Sequence, residues 1–319
     1  MNKRILISSI GAKIPLLDCL LKTTMPHMSN YELWIGDTDP RALAFTHTSN
    51  KFLLVPTLDE NLDEIIDILK NNSINYVIPT RDGELEFWAK NKKVFELHNI
   101  IIIGSPLSAI NICNDKLLFF KYLSKLGFPV IPTSEATSEI SNSYVVKERF
   151  GSGSKNIGLG LDESSAKEFA KTLQDPIFQP LIFGDEFSVD VWASNSTNHF
   201  FALPRLRKYV LRGESKITTI FRDRRLEELA ISIVQKIGIK GICVLQGIKD
   251  SNDSFHIIEC NPRIGGATTA SAYAGFPIFE LLLRDYCDLS LQIASTEFVI
   301  NPISQIRYEI DRLVNDSGF

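Results

Sequence analysis

Short apolar runs alternate with helically spaced apolar positions along the first third of the chain. Arg4–Ser8, Glu32–Asp37, Tyr76–Pro79 and Ile100–Gly104 read as strands, and Ile14–Leu21, Leu62–Lys70 and Glu84–Ala89 as helices. Strands separated by helices predict a doubly wound parallel sheet. Its first strand-to-helix turn carries Gly11 without the rest of G-x-G-x-x-G, so the dinucleotide-binding fingerprint is absent. Ligands of open α/β sheets sit beyond the carboxyl ends of the strands. Two polar clusters fall there, Asp37-Thr38-Asp39 and Thr80-Arg81-Asp82-Gly83-Glu84. Helix capping accounts equally well for their carboxylates, and less well for Arg81.

The pattern changes from Asn114. Asp115–Leu126 is predicted helical, Ser134–Ser143 a loop with weak helical character, and Tyr144–Lys147 a strand. A glycine-rich segment follows, then a helix over Ser165–Leu173 and strands over Ile177–Ile182 and Phe187–Val191. Leu226–Ile237 reads as a helix stopped by Gly238. Gly241–Ile248 and Phe255–Glu259 read as an antiparallel hairpin turning at Asp250–Ser254. No internal repeat or low-complexity tract occurs.

The 319 residues suffice for two or three domains, and 44% hydrophobic with 23% charged residues is an ordinary globular balance. A net charge of −4 argues against general nucleic-acid affinity. Five scattered cysteines suggest neither a disulfide framework nor a zinc site and suit a reducing cytoplasm. The short basic start, Met1–Ile7, is followed by no long apolar stretch, and no membrane segment is expected.

The chemistry concentrates in Ile257-Ile258-Glu259-Cys260-Asn261-Pro262-Arg263-Ile264-Gly265-Gly266. Alternation along a strand puts Glu259 and Asn261 on one face and Cys260 on the other. Two oxygen-bearing side chains side by side suit a hard cation such as Mg²⁺, whose remaining ligands would be phosphate oxygens. Arg263 would add a planar donor fork. Gln246, on the preceding strand, can reach the same cation if the hairpin pairs as predicted; an exposed edge position is the alternative. Lys147 precedes Gly151-Ser152-Gly153-Ser154, a loop able to close around phosphate oxygens. The lysine comes before the glycines, so this is not a Walker A loop, and a surface hairpin is the plainer reading. Gln179-Pro180-Leu181-Ile182-Phe183-Gly184-Asp185-Glu186 could present backbone groups to a base and a carboxylate to a ribose, or be an ordinary strand–turn–strand. The run Pro204–Lys216 is strongly basic; a solvated strand face or an anion-facing patch both fit it.

In this order and spacing, the motifs resemble the ATP-grasp superfamily, and within it carbamoyl-phosphate-synthase large-chain-like single-module carboxylate–amine ligases. The resemblance runs to about residue 290. It implies an α/β ATP-grasp fold divided into an N-terminal parallel-sheet domain over 1–112, a small α+β lid over 113–182, and a larger α+β core with a C-terminal tail over 183–319. It implies ATP and Mg²⁺, with Mn²⁺ as an alternative ion. Lys116 and Lys147 match the phosphate-gripping lysines, Gly151, Ser152 and Gly153 the lid, Pro180, Leu181 and Ile182 the adenine hinge, and Glu186 the ribose acid. Gln246, Glu259 and Asn261 match the metal ligands, and Arg263 the phosphate-facing arginine. Arg205 and Arg212 are the expected substrate contacts.

The chain departs from the family at Gln179, where an acidic residue commonly meets the adenine amino group. It also has one grasp module and no glutaminase domain, which tells against carbamoyl phosphate synthesis itself. The implied activity is activation of a carboxylate as an acyl phosphate and its transfer to an amine, with ADP and phosphate released. The partners are then a small-molecule carboxylate and amine in the cytoplasm, without nucleic acid or membrane, and a homodimer is left open. A small-molecule kinase and a non-catalytic ATP-binding subunit are the alternatives.

Overall fold

A computed structural model of the chain describes residues 2–11, 13–137, 141–151, 153, 156–287, 298–311 and 313. The N-terminal third is a five-stranded parallel sheet of β1 (Lys3–Ser8), β2 (Tyr31–Asp37), β3 (Lys51–Leu53), β4 (Ile74–Pro79) and β5 (Ile101–Ile102). Their order is β3-β2-β1-β4-β5. Helices α1 (Ile14–Thr23), α2 (Leu62–Asn71), α3 (Leu85–Lys90) and α4 (Lys92–Leu97) connect and cover it. The unbroken run Ile5-Leu6-Ile7 suits a strand buried on both faces, and all three residues are fully buried. Ile5 and Ile7 join one core cluster and Leu6 the other. Strand order reverses between β1 and β4, so the crevice of this sheet opens beyond Ser8 and Pro79.

Helices α5 (Leu107–Asn114) and α6 (Lys116–Lys125) lead to a three-stranded antiparallel sheet of β6 (Tyr144–Glu148), β7 (Gly158–Leu161) and β8 (Pro176–Pro180). Helix α7 (Glu163–Ala170) covers one face, where Ala166 and Phe169 meet Tyr144, Val146 and Phe178.

The six-stranded sheet runs β13-β12-β9-β10-β11-β14. It comprises β9 (Asp185–Ala193), β10 (Phe200–Leu211), β11 (Glu214–Ile220), β12 (Gly241–Lys249), β13 (Phe255–Asn261) and β14 (Ser304–Ile306), each antiparallel to its neighbours. Helix α8 (Arg224–Ile237) lies across one face with α5 and α6, burying Phe187, Val189, Leu245 and Cys260. Asp223 caps α8 through the amides of Arg225 and Leu226, and Gly238 ends it at φ 81° in the left-handed region. Two further helices, α9 (Thr268–Tyr273) and α10 (Ile278–Tyr286), pack between this sheet and the N-terminal domain. Among the described residues no helix is long and apolar enough to cross a membrane.

Most expected elements are present with shifted ends; the weak helix expected within Ser134–Ser143 is not found at 134–137 or 141–143, and 138–140 lie outside the described residues. The strand expected to reach Ile182 stops at Pro180, and the helix expected from Ser165 starts at Glu163, capped by Asp162. Glu84 closes a 3-10 turn before α3 rather than opening the helix. The short β3, β7 and β14 and helices α4 and α5 fall outside the expected set, and two larger features carry little local signal. One is the long β10–β11 hairpin, where Pro204 and alternating charges mask a strand. The other is the helical segment of α9 and α10.

Candidate active site

Four adjacent strands, β13, β12, β9 and β10, present polar residues on the sheet face opposite α8. In register, Gln246 sits beside Glu259 on one side and Ser188 on the other, and Ser188 sits beside Arg205. Glu186 lies two residues before Ser188, and Arg207 two residues after Arg205. Period-two alternation therefore gathers Glu186, Ser188, Arg205, Arg207, Gln246, Glu259 and Asn261 on one surface. A register shift after Gln246 lets Ile257 and Cys260 both face the core while Glu259 and Asn261 keep to the polar side.

Glu259 and Asn261 touch, the Asn261 Nδ2 donating to Glu259 Oε1 at 3.2 Å. That bond turns the Asn261 carbonyl away from the carboxylate. Register sets Gln246 beside Glu259, and Asn261 touches Glu259, so the three side chains are neighbours with one formal negative charge among them. Among the described residues no group of three or more His, Cys, Asp or Glu could hold a metal by itself. One carboxylate and two amides are a sparse set, suited to a hard ion that brings phosphate oxygens as its other ligands. One buried polar atom on the same face, Ser188 Oγ, has no hydrogen-bond partner, and the buried Arg207 Nε has only the long 3.5 Å ion pair with Glu186. Buried polar groups are seldom left so unless something else completes them.

Lys147 reaches toward this surface from β6. It is buried, and its pKa is lowered to about 8, first by burial, with the nearby Lys116 adding to the effect and Glu259 opposing it. Lys116 begins α6, and its Nζ donates to the carbonyls of Gly151 at 2.8 Å and Arg149 at 3.4 Å. The Arg149 guanidinium holds Asp115 in a two-pronged pair at 2.8 and 2.6 Å, while Asp115 caps α6. The start of α6 and the β6–β7 turn are thus one tethered unit. Gly151 and Gly153 take φ 117° and 78°, backbone that glycine adopts at little cost. Ser152 lies outside the described residues.

The connection from β8 to β9 passes Pro180, Leu181 and Ile182, with Leu181 N bonded to Ser143 O at 2.9 Å. Gly184 then passes so close to β12 that a Cβ there would stand 2.1 Å from Lys249 O. Gln179 is buried, its Nε2 donating to Thr133 Oγ1 at 2.8 Å. Glu186 is half exposed at the mouth of β9, 3.5 Å from Arg207 Nε.

The four arginines separate sharply. Arg205 is buried against Asp190 at 3.0 Å, and Asp190 also accepts from Thr268 at 2.7 Å and Ser271 at 2.6 Å. Its guanidinium is thus used in joining β9, β10 and α9. Arg212 is exposed at the tip of the β10–β11 turn, with φ 52°. Arg263 is fixed to the N-terminal domain, donating from Nε and Nη2 to Asp82 at 2.6 and 2.8 Å and from Nη1 to Ile264 O at 3.1 Å. Those three bonds leave two of its five N–H groups for an incoming anion. Arg207, which the sequence reading did not single out, is the arginine that lies against Gln246 on the polar face. It donates to Gln246 Oε1 at 2.7 Å and to Gly213 O at 3.0 Å, and its side chain is only 8% exposed. Its signal in the sequence is its two-residue spacing from Arg205, legible only once β10 is known to be a strand.

Across the seam, the carboxyl ends of β1 and β4 form a fixed polar shelf. Glu84, fully buried, accepts from Ser8, Ser9, the amides of Thr80 and Arg81, and Trp88 Nε1. Lys13 donates to Thr80 O and Oγ1 at 2.6 and 2.8 Å. Burial, then the neighbouring Arg263, lower its pKa to about 8.

Comparison with known proteins places these features in a family. Residues 113–267 match the ATP-grasp domain, and residues 5–103 the PylC-like N-terminal domain. The carbamoyl phosphate synthase large chain of a Nostoc species is 23% identical over 290 residues, 80% of this chain and 26% of that protein. The chain therefore spans about a quarter of that relative's length. Among solved structures, N5-carboxyaminoimidazole synthetase from Staphylococcus aureus complexed with ADP superposes with a TM-score of 0.75. It is 17% identical, over 97% of this chain and 83% of the other. The biotin carboxylase–β,γ-ATP complex from Campylobacter jejuni gives 0.72 at 21% identity, over 95% and 74%.

Proposed function

We propose that this chain, an ATP-grasp protein whose grasp domain follows a PylC-like N-terminal domain, is an ATP-dependent carboxylate–amine ligase. The observation that carries this reading is the shared polar face of β13, β12, β9 and β10, with Lys147 held over it from the small sheet. The face offers oxygen ligands, cations and the unpartnered Ser188 hydroxyl, and no Ser–His or Cys–His pair among the described residues. Phosphoryl transfer asks for that combination, because its catalysis is positioning and charge neutralisation.

In this reading Gln246, Glu259 and Asn261 would hold Mg²⁺, which when bound neutralises phosphate charge. Lys147 and Lys116 grip the phosphates beside Gly151 and Gly153, with the Ser152 hydroxyl as a further expected contact. Gln179 and the Pro180–Ile182 connection take the base, and Glu186 the ribose. A substrate carboxylate oxygen attacks the γ-phosphorus, and the bond to the ADP oxygen breaks. The amine nitrogen then attacks the acyl carbon, phosphate leaves, and the nitrogen loses a proton. Arg207 faces the transferring group, and Arg263 meets the carboxylate with its two remaining N–H groups. Arg205 acts by holding the Gly265–Thr268 turn in place, and Arg212 is left to a substrate that extends to the hairpin tip.

The division into 1–112, 113–182 and 183–319 is supported by the sheets, each of which falls inside one unit. Cys19, Cys113, Cys243 and Cys260 are buried free thiols, which supports a reducing cytoplasmic setting.

The test is turnover with defined mixtures. ADP and phosphate release should require ATP, Mg²⁺, a carboxylic acid and an amine together, and mass spectrometry should find a new amide. A stable phosphorylated product formed without the amine would overturn the ligase reading in favour of a kinase.

A further inference from the structure

Gln179 can act as donor or acceptor toward a bound base, depending on which way its amide is turned. Its surroundings decide the question. Alternation on β6 and β8 puts Tyr144, Val146 and Phe178 beneath α7. The register pairs Val145 with Gln179 and Lys147 with Ile177, so Gln179 shares the opposite face with the phosphate-gripping Lys147. The segment before Ser134 runs alongside β8, fixed by reciprocal bonds between Ser134 and Phe178, and brings Thr133 against Gln179. Both side chains are buried, at 5% and 4% exposure.

A threonine hydroxyl has one proton to give. Thr133 Oγ1 donates it to Ile131 O at 3.0 Å, and that buried carbonyl has no other donor among the described residues. Thr133 can therefore only accept from Gln179, which must turn its Nε2 toward it, at 2.8 Å. Reversing the amide would place two acceptors together or take the proton from Ile131. The Gln179 Oε1 is thereby presented on the Lys147 side, where no described donor reaches it.

We propose that Thr133 is a specificity-determining residue of the nucleotide site. By locking Gln179 as a pure hydrogen-bond acceptor, it selects a purine that bears an exocyclic amino group at position 6 and rejects the 6-oxo purines. The neutral amide thus does the work of an acidic residue without burying a charge. This rests on the nucleotide placement in the proposed function, since it needs the base to lie against Gln179.

The experiment is calorimetric titration of the full chain with Mg·ADP and Mg·IDP, which differ at position 6 and in the proton on N1. The native chain should prefer ADP by at least about tenfold, the scale of one well-made hydrogen bond against a mismatched one. Thr133→Val keeps the side chain's shape but frees the amide to turn, and the preference should fall to within about threefold. Gln179→Glu has no donor in its ionised form, so the double variant Thr133→Val with Gln179→Glu should recover the preference. A merely structural role for Thr133 would give no such recovery. Equal binding of ADP and IDP by the native chain, or full discrimination by Thr133→Val, would overturn the proposal while leaving the ligase reading intact. Failure to bind either nucleotide would sink the ATP-site reading and this inference with it.

Discussion

Arg207 Nη1 donates to the side-chain carbonyl of Gln246 at 2.7 Å, across the intervening strand β9. That bond sets a guanidinium directly beside the oxygens of Gln246, Glu259 and Asn261. Burial lowers the Arg207 pKa from its usual value, with Glu186 opposing the shift and Arg205 adding to it. The group still carries its charge at any physiological pH. A fixed cation on the ligand surface is suited to charge that develops on a transferring phosphoryl group.

Arg207→Met should therefore reduce the rate of ADP release roughly 10²-fold, the usual effect of losing one preorganised charge contact. Steady-state kinetics would show the loss mainly in kcat. A variant within about threefold of the native rate would remove Arg207 from the reaction.

Glu259 is the one carboxylate of the proposed metal set. Glu259→Ala should abolish Mg²⁺-dependent ADP release while thermal unfolding, measured without nucleotide, stays close to that of the native chain. Chelation of Mg²⁺ should give the same loss in the native protein and recover on adding the ion back. Normal turnover by the variant would show that the site lies elsewhere.

As a proposed phosphate contact, Lys147 should make nucleotide binding depend on pH. Its pKa, lowered to about 8 by burial, means that the folded protein binds fewer protons than the unfolded chain between there and the ordinary lysine value of 10.5. Stability from this group is accordingly weakest below about 8 and rises through that window. An arriving phosphate favours the charged lysine and raises its pKa again. Binding of ADP at about pH 8.5 should thus take up a proton, and affinity should fall as pH rises further. Titrations in two buffers of different ionisation enthalpy measure the uptake. Lys147→Arg, always charged, should show none; equal uptake by both proteins would rule the lysine out as its source.

Arg205 and Asp190 form a buried pair, with side chains 4% and 0% exposed, in which Thr268 and Ser271 complete the carboxylate. Arg205→Ala leaves that carboxylate buried without its counter-charge and should cost about 3 to 5 kcal/mol of stability. Urea unfolding is the measurement. Unchanged stability with a large loss of turnover would return Arg205 to the substrate contacts.

Local periodicity alone determined much of this protein. The alternation of apolar strands and helices up to Gly104 specified a parallel sheet, because strands buried on both faces and helices buried on one leave different repeats in the chain. The Glu259-Cys260-Asn261 order fixed which side chains share a face, and the short turn after Lys249 brought Gln246 beside Glu259. The tertiary structure decided which cations serve which purpose. Arg205 and Arg207 look alike in sequence, yet Asp190 claims the first and Gln246 the second. Arg263 meets Asp82, 181 residues away, and Gln179 takes its orientation from Thr133, 46 residues away. A side chain's face follows from its neighbours in the chain. Its distant partner follows from which strands and loops pack together, and the long-range hydrogen bonds and ion pairs depend on those contacts.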